Sequence, residues 1–120
     1  MEFSIEQALK LGVNFHNQGN LEEAERIYRL ILQAKPQEPD ANHNLGVLAA
    51  GVGKVQEALP FFKAALNANP NTAQFWLSYI DALIKLEKLD DAKAVLQEAK
   101  QKGANGDAFD QLELQLSPSS

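Results

Sequence analysis

Sliding this chain against itself by 34 residues brings like residues into register. Leu11 falls on Leu45, Gly12 on Gly46, Gly19 on Gly53, Ala24 on Ala58, Tyr28 on Phe62 and Pro36 on Pro70. A third, looser copy follows from residue 73, with Leu83, Ala92, Leu96 and Ala99 in step. A fixed period of this length marks a unit that cannot bury its apolar face alone, so successive units stack and share one continuous core. An array of that kind exists to present a surface. The default reading is therefore a binding module.

Within each copy the apolar residues recur three and four apart, which is helical spacing. Ile5, Ala8, Leu9, Leu11, Gly12 and Phe15 predict one helix over 5–18, and Asn17-Gln18-Gly19-Asn20 breaks it. Leu21, Ala24, Ile27, Tyr28 and Ile31 predict a second over 21–34, with Asn20 as its cap and Glu23 completing a capping box. Glu22–Arg26 and Glu25–Arg29 stand four apart on its wet face. Pro36 and Pro70 end their units because proline cannot continue a helix. The same reading gives pairs at 39–52 with 55–68 and 73–87 with 89–102, the first of these carrying a mild kink at Pro60. Gly12, Gly46, Ala24, Ala58 and Ala92 let paired helices approach closely. Ile80, where a glycine is expected, implies a wider crossing or a repacked neighbour.

The residues that carry the period resemble the tetratricopeptide (TPR) pattern, W-x2-L-G-x2-Y, then A-x3-F, then P. Leu11-Gly12, Phe15, Ala24, Tyr28 and Pro36 fit it, as do Leu45-Gly46, Ala58, Phe62, Ala65 and Pro70. In the third copy Trp76 supplies the leading aromatic that Ala8 and Asn42 replace, while Tyr79-Ile80 and Ala104 depart from the pattern. The resemblance implies an all-α, right-handed solenoid: three repeats over about 5–38, 39–72 and 73–106, then a capping helix over about 107–116, in one domain of residues 1–120. Phe109, Leu112 and Leu116 form the apolar stripe of that cap. Ser117-Pro118-Ser119-Ser120 reads as a linker, and Met1-Glu2-Phe3 carries no structural weight.

Chemistry is hard to place on this chain. No cysteine is present, which removes disulfides, thiolate metal sites and cysteine nucleophiles. Ala50-Gly51-Val52-Gly53 follows no strand and lacks the lysine of a phosphate loop. His16 and His43 lack metal-ligand spacing and read as groove-lining hydrogen bonders, and Ser78 has no histidine partner at a recognisable spacing. The adjacent acids Glu22-Glu23 and Asp90-Asp91 sit at helix starts, where the helix dipole favours them. The reading is a non-enzyme with no cofactor and no metal. A net charge of −5 argues against nucleic acid and anionic membrane. With no membrane span and no signal-peptide pattern, the expected compartment is the cytoplasm.

Function is therefore expected on the concave face, which the resemblance builds from the first helix of each pair. By register that face carries Leu9, Lys10, Val13, His16 and Asn17, then Asp40, His43, Asn44 and Val47, then Gln74, Leu77, Ser78, Asp81 and Lys85. Related domains that grip acidic chaperone tails use two lysines, two asparagines and an arginine. Those positions fall on Leu9, Val13, Asn44, Gln74 and Ser78, of which Asn44 alone matches. The asparagine ladder of O-GlcNAc-transferase-like superhelices likewise keeps only Asn44, beside Lys10 and Ser78. The expected ligand is a mostly uncharged, partly apolar segment of another protein. Alternatives are the substrate-recruiting or assembly portion of a larger bacterial enzyme of glycosyltransferase, sulfotransferase or methyltransferase type, and a self-assembly module that makes a homo-oligomer.

Overall fold

A computed structural model of the chain describes residues 3–117, so Met1-Glu2 and the linker residues Pro118-Ser119-Ser120 lie outside it. Seven helices follow one another, and no strand occurs among the described residues: α1 (Ile5–Asn17), α2 (Leu21–Ala34), α3 (Pro39–Gly51), α4 (Val55–Ala68), α5 (Ala73–Lys85), α6 (Leu89–Gln101) and α7 (Asp107–Leu116). The 34-residue step reaches down to single caps. Ser4, Glu38, Thr72 and Gly106 precede α1, α3, α5 and α7, while Asn20, Lys54 and Lys88 precede α2, α4 and α6. Pro60 stands inside α4, which runs on through it to Ala68.

Helix starts differ in detail from the sequence expectation. The capping box lies at α1, where Ser4 Oγ accepts from the Gln7 amide at 3.1 Å and Gln7 Oε1 accepts from the Ser4 amide at 2.9 Å. Asn20 makes no side-chain cap bond, because its backbone (φ −87°, ψ 75°) is outside the extended region a capping side chain uses. Its expected partner Glu23 instead accepts from Arg26 at 2.7 Å, so the Glu22–Arg26 pairing is replaced by one three residues apart. That bond holds the Glu23 carboxyl below its ordinary range. Arg29–Glu25 forms as expected, at 2.8 Å.

Each pair crosses where the period places a small residue. A methyl built on Gly12 would lie 2.6 Å from Tyr28 Cε1, and one on Gly46 would lie 2.5 Å from Phe62 Cε1, closer than carbon atoms approach. In the third unit those two positions hold Ile80 and Leu96, both buried, so the bulkier residue is met by a smaller partner. The aromatic neighbour is replaced by leucine there. Another feature survives a change of chemistry: Asn42 Nδ2 donates to the Pro36 carbonyl at 3.1 Å, and 34 residues later Trp76 Nε1 donates to the Pro70 carbonyl at 2.8 Å.

The helices stack into an elongated body of 56 × 27 × 21 Å. The sequence counts Leu11 among the packing residues of α1, but it is exposed while its counterpart Leu45 is buried. Leu45 sits beneath the preceding unit, whereas no unit precedes α1 among the described residues. At the other end Phe109 and Leu116 are buried and Leu112 is packed against them, as a capping helix requires. The positions that in α5 hold buried Trp76, Ile80 and Leu83 are Asp110 and Leu114 in α7 and Ser117 just after it, and Leu114 is 74% exposed. α7 thus presents a largely polar outer face.

Candidate functional site

Besides the contacts of each second helix with the first helix that follows it, the first helices pack on one another along the array, α1 on α3 and α3 on α5, and the second helices make no comparable contact with each other. The first helices form the inner layer, with α2, α4 and α6 outside it. Two hollows open between these inner helices. The first, of about 370 Å³, lies between α1 and α3 and is lined by Leu9, Lys10, Val13, Asn14, Asp40 and Asn44. The second, of about 330 Å³, lies mainly between α3 and α5 and includes Val47, Phe62, Gln74, Ser78, Asp81, Ala82 and Lys85. Val13 and Val47, one period apart, are each 37% exposed at the two sites.

Ten of the fourteen residues singled out from the sequence therefore line one hollow or the other. The remaining four do not. His16 turns toward the outer helix, with Nδ1 3.5 Å from the Tyr28 hydroxyl and the rings edge-on at 6.3 Å. Asn17, the last residue of α1, is exposed outside both hollows. Leu77 is half-buried against the C-terminal core, which contains Phe109 of α7. His43 is 9% exposed, with its ring 5.6 Å from Phe62 and 4.8 Å from Phe75.

His43 also corrects the reading of Ser78. Its Nε2 lies 2.8 Å from Ser78 Oγ, and Gln74 Nε2 donates to the same oxygen at 3.3 Å. The hydroxyl has one donor and two acceptor sites, so it can accept from Gln74 and share a hydrogen bond with the His43 ring at the same time, the direction of the latter following the imidazole tautomer. Burial pushes the His43 pKa below its ordinary value, against smaller opposing effects of Asn44 and Asp40. The link joins α3 to α5 under the second hollow. It was legible in principle, because 35 residues is one period plus one and places the two side chains on facing sides of adjacent inner helices. Asn14, Phe62 and Ala82 were missed as lining residues; Phe62 reads as core from its register with Tyr28 and serves as both.

Rim electrostatics are mild. Lys10–Glu6 (3.8 Å) and Lys85–Asp81 (3.0 Å) are exposed pairs four residues apart, whose strength in water is small. Asp40 enters no ion pair among the described residues, so the first hollow carries this carboxylate beside Lys10, whose own partner is Glu6. Among the described residues no three histidine, aspartate or glutamate side chains gather as a metal site requires. No described helix is long and apolar enough to cross a membrane.

Helix pairs in register, a shared core and an inner layer of first helices define an all-α repeat solenoid. Residues 49–116 match a family model described as tetratricopeptide repeat, and residues 5–38 match a second of the same description. The chain belongs to the tetratricopeptide repeat family. It is 34% identical over 106 residues to the regulatory protein RapD of Bacillus subtilis, covering 78% of this chain and 30% of RapD. Among solved structures it is similar to the TPR2B domain of yeast Sti1 in its pHsp70 complex (TM-score 0.81, 19% identity, 93% of this chain and 94% of that one). It is also similar to the Yersinia enterocolitica type III secretion chaperone SycD in complex with a peptide of the translocator YopD (TM-score 0.78, 19% identity, 97% and 91%).

Proposed function

We propose that this chain is a protein-interaction module whose inner groove holds a mostly uncharged, partly apolar segment of another protein. The observation that carries the reading is the pair of hollows floored by Leu9 and Val13 and by Val47, Phe62 and Ala82. Exposed valines repeated at one period along a concave face leave apolar surface in water that a bound segment would cover. The Sti1 and SycD structures, each a complex on this fold, support a protein-interaction role. An acidic tail is the wrong ligand. Leu9, Val13, Gln74 and Ser78 offer a carboxylate no cation, and Asp40 would repel it.

Affinity selection from a displayed-peptide library tests this directly. The wild type is expected to enrich segments with apolar residues and few acids. Val13→Lys with Val47→Lys is expected to weaken the selected peptides at least tenfold while helicity and melting stay near those of the parent. Unchanged binding by the double variant, or enrichment of acidic peptides, would remove the groove assignment.

A second reading is a recruiting portion of a larger protein, and it draws on RapD, of which this chain spans 30%. The length of the natural reading frame separates the two.

A further inference from the structure

The outer face carries a hollow that the inner-groove reading does not use. It lies between α4 and α6 over the floor of α5, measures about 410 Å³, and is lined by Lys63, Leu66, Trp76, Tyr79, Val95 and Lys102 among others. One period earlier the corresponding residues are Arg29, Leu32, Asn42, Leu45, Phe61 and Ala68. The decisive exchange is Phe61 for Val95. At the first junction the Phe61 ring packs against the N-terminal core beside Leu32, and the Arg29 guanidinium lies over it, 5.9 Å from the ring centroid. At the second junction Val95 is too short to reach that far, while Lys63 stands in the place of Arg29. The hollow lies where the first junction holds a ring and has room for one, and Lys63 is in its lining together with Lys102 and Glu98.

We propose that this outer hollow is a docking site for an aromatic side chain presented by another polypeptide. The first junction shows the bound arrangement within the same molecule. The incoming ring takes the place Phe61 holds, rests on Tyr79, Leu66 and the edge of Trp76, and lies under the Lys63 ammonium as Phe61 lies under Arg29. A cation over a ring face, with aromatic residues below, favours Phe, Tyr or Trp over an aliphatic side chain of similar size. The site shares no lining residue with the two inner hollows, so it stands or falls separately from the inner groove.

Trp76 is the only tryptophan in the chain and lies in the floor, so it reports on its own site. N-acetyl-phenylalaninamide, added to the intact chain, is expected to shift the Trp76 indole N–H resonance and the tryptophan fluorescence saturably, and N-acetyl-leucinamide is not. Val95→Phe is expected to fill the hollow, abolish the response and raise the melting temperature by a few degrees, and Lys63→Met to weaken the response several-fold. No saturable response in the wild type overturns the proposal, as does a response that persists in a folded Val95→Phe variant. Should that variant fail to fold, the smaller filling Val95→Leu is read instead. A reduced response there supports the proposal and an undiminished one overturns it.

Discussion

In the first two units a glycine lies under an aromatic ring, Gly12 beneath Tyr28 and Gly46 beneath Phe62; in the third the same positions hold Ile80 and Leu96. Both arrangements bury their residues and both leave the second helix in register. The comparison teaches that the period fixes which two positions meet at a buried crossing and not the identity or size of either partner. The prolines show the same logic in polar form, since an asparagine and a tryptophan one period apart each satisfy the preceding proline carbonyl.

The comparison is broken most forcefully by giving the second unit half of the third unit's solution. Gly46→Ile puts a β-branched side chain where a single methyl would already stand 2.5 Å from the Phe62 ring. Overpacking of this kind costs about 3 kcal/mol, at the upper end of its usual range. That is a fall in melting temperature on the order of 10 °C for a chain of this size. Adding Phe62→Leu completes the copy, removes the ring atoms that the new side chain would strike, and is expected to recover part of the loss. Thermal denaturation of the two single variants and the double variant forms a cycle whose coupling should be strongly favourable. A double variant no more stable than Gly46→Ile would show that the third unit relies on a wider crossing instead.

Most of the fold was legible because the period enters every helix boundary at once, and an error in one copy is corrected by the others. Legibility failed where a residue answers to its neighbours in space. Leu11 has the spacing of a core residue, yet exposure depends on whether a preceding unit covers it. Asn20 has the identity of a cap, yet its backbone conformation is set by the turn through Gly19, whose φ is +80°. At the groove, register correctly brought Val13 and Val47 to the same face. It could not tell that the position shared by Leu9, His43 and Leu77 opens onto a hollow in the first unit and is buried or half-buried in the next two. That depends on which helix lies across each one.

The same position sharpens the comparison between junctions. Leucine occupies it in units one and three, while in unit two His43 makes the polar link to Ser78. Burial lowers the folded-state pKa of His43 below the ordinary value of 6.5, so the unfolded chain takes up its proton at a higher pH than the folded chain does. The stability that comes from keeping this imidazole neutral is present above about pH 6.5 and is lost as pH falls from there toward the folded-state pKa. Denaturant melts at pH 7.5 and 5.5 are expected to show lower stability at 5.5, by less than the overpacking effect. His43→Gln, which can still bond to Ser78, should flatten that difference. A slope of equal size in the variant would place its origin outside His43.

The smallest expected effect concerns the turn inside each pair. Gly19, Gly53 and residue 87 occupy one register position, and all three have positive φ, at 80°, 87° and 60°. The third is Glu87, where a Cβ is held against the carbonyl that follows it at a cost of about 1 kcal/mol. Glu87→Gly removes that strain, and the larger backbone entropy of glycine in the unfolded chain takes back about half of it. The net expectation is a gain of about 0.5 kcal/mol, or roughly 2 °C in melting temperature. The mirror change, Gly53→Glu, has space for its side chain, since nothing lies within 4 Å of a Cβ built there. Its loss should therefore be of similar size and come from the backbone alone. If Glu87→Gly destabilised the chain while Gly53→Glu left it unaltered, backbone strain would not be what distinguishes the third turn, and a contact of the Glu87 side chain would have to be sought in its place.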